Sequence, residues 1–273
     1  MTNDTSIANE FEIYACPSCR HSLHHEKDTL RCPTCSQAYP IIEGIPEFFF
    51  EELSRSTDPE LRRMRFIDRM AGIYESSLWY PIVLKVYGGF DSPSLAQLVS
   101  TVSQKVEPAK GRVLDVACGP GTFGRRIASP SKEVCRIDVS RGMLRKGAVY
   151  AVKEGIRNVH FARARVESLP FSDGFFDATI CCGSLHLFTD TVIALREMAR
   201  VMKPGAILAV FTFTAGRGGI LKFSRAREWS RRNHGLHVFV LSEMERYLTA
   251  SGFVDFRPEV TGSILTFSAR KQA

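Results

Sequence analysis

The sequence contains no apolar run near the ~20 residues that a membrane-spanning helix needs. Its longest, residues 206–213, has the length of a buried strand. The opening, MTNDTSIANE, lacks the positive charge followed by an apolar stretch that marks a secretory signal, so export is not expected and a cytoplasmic location is. An acidic excess is missing too: 36 Lys and Arg face 29 Asp and Glu, for a formal net charge of +7. Basicity attracts acidic partners without choosing among them, and its placement says more. Residues 11–50 carry Arg20, Lys27 and Arg31 against Glu12, Glu26, Asp28, Glu43 and Glu47, a mildly acidic stretch. The densest basic run is Arg217, Lys222, Arg225, Arg227, Arg231 and Arg232, opposed by Glu228. It reads either as a solvated helix face or as a grip on an acidic partner. With 273 residues, 44% of them hydrophobic, the chain has room for one large α/β domain and a small module.

Four of the eight cysteines form two knuckles, Cys16-Pro-Ser-Cys19 and Cys32-Pro-Thr-Cys35. Two residues between cysteines let both thiolates face one ion, and two knuckles complete a closed tetrahedral site, so a structural zinc is expected. A pair of disulfides is the alternative, disfavoured where thiols are kept reduced. His21, His24 and His25 lie between the knuckles and are read as surface residues. A module this small builds little core, so the metal supplies much of its folding free energy. The zinc ribbon is placed at residues 11–50. Residues 51–110 follow as a polar linker and a helical cap, in which Phe66, Ile67, Met70, Ile73 and Tyr74 recur at helical spacing.

Residues 111–273 alternate strand and helix patterns, which points to a parallel sheet covered on both faces. An apolar strand holding Asp115 runs into the glycine-rich turn Cys118-Gly119-Pro120-Gly121 and then a helix, an arrangement that lets a ligand approach backbone amides. Alone, such a turn is a weak signal. The next strand, residues 134–138, ends in Asp138, where a carboxylate can accept both hydroxyls of a ribose. Further strands are read at 158–162, 176–181 and 206–213, with a helix at 192–202 closed by Lys203-Pro204-Gly205.

Four segments, LDVACGPGTFGRR, IDVSRGMLRKG, ESLPFSDGFFDATICCGSLHLFTD and ALREMARVMKPGAILAVF, resemble in order the motifs of class I S-adenosylmethionine-dependent methyltransferases of the ubiquinone and menaquinone biosynthesis type. The amino-terminal module is similar to the zinc ribbon of ribosomal-RNA guanine methyltransferases. The resemblance implies a Rossmann-like, seven-stranded, mostly parallel sheet with helices on both faces and an antiparallel final hairpin near 253–257 and 263–267. It implies S-adenosylmethionine as cofactor, with Asp115, Ala117, Cys118, Gly119 and Gly121 around the methionine end and Asp138 on the ribose. Val139 and Met143 flank the adenine, Arg165 and Val166 lie at its edge, and Cys182 and Gly183 line the side near the transferred methyl. Arg165 departs from most relatives, which place an aspartate there to accept the adenine amino group, so either the backbone alone reads the adenine, or cofactor affinity is weakened, or the fold is put to another use. A guanidinium accepts no hydrogen bond.

Methyl transfer from a sulfonium needs alignment and water exclusion more than catalytic side chains. His186, just past a strand end, is the candidate base, or else a residue that orients its loop by hydrogen bonding. Tyr74 and Trp79 in the cap, and Phe223 and Trp229 in the inserted segment 216–240, are candidate substrate contacts; packing is the alternative for Tyr74 and Trp79. The expected acceptor is a small, apolar or aromatic metabolite, methylated at oxygen or carbon. Methylation of a ribosomal or transfer RNA base and a non-catalytic binding role are the alternatives, and the basic segment also admits peripheral contact with a membrane.

Overall fold

The computed structural model describes residues 10–50, 78–107, 109–129 and 132–273. Tyr74 and most of the expected cap therefore lie outside the described residues. Strands β1 (His24–Glu26), β2 (Thr29–Arg31), β3 (Ala38–Ile42) and β4 (Ile45–Pro46) form an antiparallel amino-terminal sheet. Helix α1 (Trp79–Val83) continues into a π-helical turn, Leu84–Gly88, and is followed by α2 (Leu95–Val106). α2 starts at a capping box, in which Ser94 and Gln97 satisfy each other's backbone amides.

The main domain then runs β5 (Gly111–Val116), α3 (Gly124–Ile127), β6 (Lys132–Asp138), α4 (Arg141–Lys153), β7 (Val159–Arg163), β8 (Phe176–Cys182), α5 (Thr191–Val201) and β9 (Met202–Phe213). It ends with α6 (Ser224–His234), α7 (Leu241–Ala250), β10 (Phe253–Thr261) and β11 (Ile264–Lys271). The sheet order is β10-β11-β9-β8-β5-β6-β7, parallel except for β11 and β10, as expected of the Rossmann-like fold. From β5 the chain winds outward through β6 to β7 and then returns to place β8 on the other side of β5. This reversal opens a crevice at the strand carboxyl ends.

Boundaries differ from the sequence pattern where side-chain signals are weak. β9 starts at Met202, ahead of the Pro-Gly pair read as a stop, because Met202 already pairs with Phe176 before a register irregularity leads into the main ladder. The final hairpin is longer than expected, with Thr261 opposite Ile264 at its turn.

One face of the sheet packs on α2, whose Leu98, Val99, Val102 and Val106 form a single apolar stripe against Val113, Val134, Ala178 and Ala209. The opposite core contains Leu114, Ile137 and Phe171 together with Tyr14, Leu30 and Tyr39 of the ribbon. The ribbon is thus continuous with the larger domain rather than tethered beside it. Glu47 bridges in parallel to Arg163 of edge strand β7, and the Phe48 N–H donates to the Arg163 carbonyl at 2.8 Å. The Ala15 N–H donates to the Pro170 carbonyl and the Tyr14 hydroxyl to that of Phe161.

Candidate functional site

The two cysteine knuckles adopt the same turn. Arg20 N–H donates to the Cys16 carbonyl and Ser36 N–H to that of Cys32, with Arg20 and Ser36 both at positive φ. Repeating the turn brings all four Sγ atoms within 4.8 Å of one another, with Cys19 and Cys32 at 3.3 Å. All four are free thiols. Four convergent soft donors with no open position fit a structural zinc. The Tyr39 hydroxyl lies 3.2 Å from Cys16 Sγ and supports the cluster from outside. His21 is turned to the Cys19 carbonyl and His24 and His25 are exposed, in keeping with their reading as surface residues.

At the crevice, β5 ends in a tight turn that holds Ala117 at φ 50°, Gly119 at 53° and Gly121 at 80°. Ala117 carries a side chain in the left-handed region, which costs about 1–2 kcal/mol and persists only where surroundings enforce it. Asp138, closing β6, accepts the Gly119 N–H on Oδ2 and the Ser140 N–H on Oδ1, both at 2.8 Å. The Ser184 hydroxyl donates to the Ala117 carbonyl at 3.1 Å and so ties the loop after β8 to the turn after β5.

Between these elements lies a cleft of about 740 Å3, open mouth included. Of the residues proposed from sequence, Ala117, Gly119, Asp138, Val139, Met143, Arg165 and Val166 line it. Sequence reasoning missed Ile137, Ser140, Ala164, Glu167, Ser184, Leu187 and Phe188, which also line it. Ser140 had a signal, as the side-chain cap that starts α4 by accepting the Met143 N–H. Leu187 and Phe188 face the cleft through a short 3-10 turn that hydrophobic pattern does not reveal.

Asp115, Cys118, Gly121, Cys182 and Gly183 lie outside that lining. Asp115 is buried under the turn, its Oδ2 unpartnered among the described residues. Burial pushes its carboxyl up to about 7 against the pull of the Arg136 guanidinium. Arg136 is itself buried, 5.3 Å over the Phe161 ring, and closes the space beneath Gly121, where a Cβ would lie 2.9 Å from its Nη1. Gly183 is at φ 77°, and its N–H donates to the Phe211 carbonyl. Arg165 is drawn to Glu167, with its Nε 3.2 Å from Oε2, and lies 5.9 Å over the Phe49 ring of the ribbon segment.

His186 is buried, with Nδ1 3.1 Å from Thr212 Oγ1 and its ring edge-on to Phe213. Burial pushes its pKa down to about 3. It is outside the cleft lining, and its carbonyl accepts the His237 N–H. Trp79 is half-buried on the α2 face, while Phe223 and Trp229 stand exposed outside the cleft. No helix among the described residues is long and apolar enough to cross a membrane.

Residues 113–205 match the family model described as a methyltransferase domain, and residues 11–44 match that of Trm112p-like protein. An uncharacterized chloroplastic methyltransferase of Arabidopsis thaliana, At2g41040, is 28% identical over 177 residues, 60% of this chain and 48% of that protein. The ubiquinone/menaquinone biosynthesis C-methyltransferase UbiE of Ectopseudomonas mendocina is 40% identical over 107 residues, 38% of this chain and 42% of that protein. The chain thus spans less than half the length of these relatives. Among solved structures, phosphoethanolamine N-methyltransferase 2 of Haemonchus contortus, bound to S-adenosylhomocysteine, superposes with a TM-score of 0.63 at 18% identity, over 80% of this chain and 61% of that one. That likeness shows the fold. S-adenosylmethionine is the cofactor of this domain type, and the four-cysteine cluster with its Trm112p-like match is a structural zinc site.

Proposed function

We propose that this chain, whose residues 113–205 form a class I methyltransferase domain, transfers a methyl group from S-adenosylmethionine to oxygen or carbon of a small, apolar or aromatic acceptor. The observation that carries the reading is Asp138, fixed by two backbone amides in a mainly apolar cleft where the sheet order reverses. The resemblance to quinone-pathway C-methyltransferases supports the acceptor class.

In this reading Asp138 accepts the ribose hydroxyls while Ile137, Val139, Met143 and Leu187 enclose the adenine. The backbone at Ala164, Arg165 and Val166 reads the adenine edge, because the Arg165 side chain is turned to Glu167 and has no acceptor to offer. Gly119 and Gly121, with Ala117, Cys118, Cys182 and Gly183, shape the methionine end, and Asp115 lies buried beneath the turn. The bound cofactor supplies an electrophilic methyl carbon, so the protein's task is to align the acceptor and exclude water. His186 orients its loop: it is neutral at physiological pH, held by Thr212, and tied by its carbonyl to the inserted segment.

Calorimetry with S-adenosylhomocysteine tests this. Asp138→Ala is expected to weaken binding by roughly 30-fold or more, the loss of charge-assisted hydrogen bonds. Unchanged affinity in the variant, or no binding of S-adenosylmethionine by the native chain at millimolar concentration, refutes the cofactor site and favours the non-catalytic role. His186→Ala is expected to preserve cofactor affinity. Methylation of an RNA base is the second reading, supported by the exposed cations of segment 217–232. Retention on transfer or ribosomal RNA that falls steeply with salt supports it.

A further inference from the structure

Segment 78–90 is apolar on two faces. Tyr80, Leu84 and Gly88 are buried against the domain, and on the other side Leu78 (67% exposed), Ile82 (57%), Val86 (43%) and Phe90 (93%) stand in solvent. Four-residue steps drift around a regular helix, and the wider π turn at Leu84–Gly88 takes up part of that drift between Ile82 and Val86, while Phe90 follows the helix past Gly89. An exposed apolar row on a segment whose other side is already buried marks a contact surface.

The inserted segment adjoins this one. A Cβ on Gly219 would lie 2.5 Å from the carbonyl oxygens of Val86 and Tyr87, so the two backbones are in direct contact. Just beyond that contact stands exposed Phe223, with the Lys222 ammonium 4.8 Å from its ring. On α6, Arg225, Trp229 and Arg232 fall at i, i+4 and i+7, one exposed face with an aromatic between two cations. Arg217 and Lys85 are exposed at the other side of the contact.

We propose that this surface, made by segment 78–90 and the face of Phe223, Arg225 and Trp229, docks the protein on an anionic lipid bilayer. The apolar row and the two aromatics enter the interface, while the cations meet lipid phosphate. Charge chooses this occupant: Lys85, Arg217, Lys222 and Arg225 outnumber Asp91 around an apolar centre, with Arg232 shared with Glu228, whereas a nucleic acid has no use for the row of Leu78, Ile82, Val86 and Phe90.

The test is flotation of the full chain with vesicles of phosphatidylcholine alone and of phosphatidylcholine mixed with phosphatidylglycerol. Binding to the mixed vesicles that falls as salt rises is expected. The double variant Ile82→Glu and Phe90→Glu is expected to lose at least about tenfold of that binding, and Arg225→Glu with Arg232→Glu the preference for anionic lipid. Unchanged melting temperature and S-adenosylhomocysteine affinity establish that each variant is folded. Should the Ile82→Glu pair fail to fold, Phe90→Ser alone, at a nearly fully exposed position, is expected to weaken vesicle binding measurably. Absence of binding to either vesicle, binding indifferent to the Ile82 and Phe90 changes, or retention of RNA in place of vesicles overturns the proposal.

Discussion

The two additions to the Rossmann-like sheet are attached in opposite ways. The ribbon is welded on: Glu47, 2% exposed, is held by Arg141 and Arg163, and Tyr14, Leu30 and Tyr39 share the core of the sheet. The helical segment at residues 78–90 and α6 buries one side and leaves Phe90, Leu78, Phe223 and Trp229 in solvent. The first addition is finished as a structure. The second leaves an apolar row uncovered among the described residues, so stability should be sensitive to change on the ribbon side and, in the proposal above, binding on the other.

The largest effect expected is that of the metal. Apparent binding energies of structural zinc in isolated modules, ~10–16 kcal/mol, rival the whole stability of a domain. Cys32→Ser or chelation is therefore expected to unfold the ribbon and, because the core is shared, to lower the melting temperature of the entire chain. Limited proteolysis and calorimetry read both. A lost ribbon with an unchanged main transition would show that the continuous core carries no coupling, and the comparison would fall.

Next in size is the buried carboxylate between the two parts. Glu47→Ala leaves the Arg163 guanidinium, itself buried, without its acid, which costs roughly 3–5 kcal/mol. The exposed pair of Arg31 with Glu26 is the control, with Glu26→Ala expected within about 0.5 kcal/mol of the native chain in denaturant titration. Equal costs at the two positions would show that burial is not what fastens the ribbon.

How much of this was legible in the sequence follows the same division. The Cys-x-x-Cys knuckles, the glycine turn and Asp138 declare themselves because local spacing fixes their geometry. So does the sheet, whose strands are short apolar runs between turn signals. That Phe48 would pair with Arg163, far along the chain, is written in no local pattern, since such contacts depend on where distant strands end. For the same reason Ser184, Leu187 and Phe188 went unforeseen as cleft walls. Phe223 and Trp229 had a helical spacing but none of the constraint that would aim them inward, and the structure leaves them at the surface.

On the second flank, His186 offers an effect of intermediate size that depends on pH. Unfolded, its imidazole takes up a proton near 6.5, whereas the buried ring resists until about 3. Its contribution to stability is therefore full above 6.5 and lost as pH falls from there towards 3, at up to ~1.4 kcal/mol per pH unit. Asp115, raised to about 7 by burial, acts oppositely over part of the range, so the difference between native and His186→Gln proteins is the quantity to measure. That difference is expected to change by about 2 kcal/mol between pH 7.5 and pH 5. A constant difference would mean that water reaches the ring and that this flank is looser than its packing indicates.

The smallest effect expected is that of Phe223→Ser. The ring is 58% exposed, so its removal deletes little burial, and the change should stay below about 0.5 kcal/mol, a shift of no more than ~2 °C in melting temperature. A larger loss would mean that Phe223 packs inward in solution, leaving segment 216–240 as firmly attached as the ribbon. A negligible loss, together with weaker retention on anionic vesicles, would separate the two flanks by what they do: one holds the sheet together, and the other holds the protein to its surroundings.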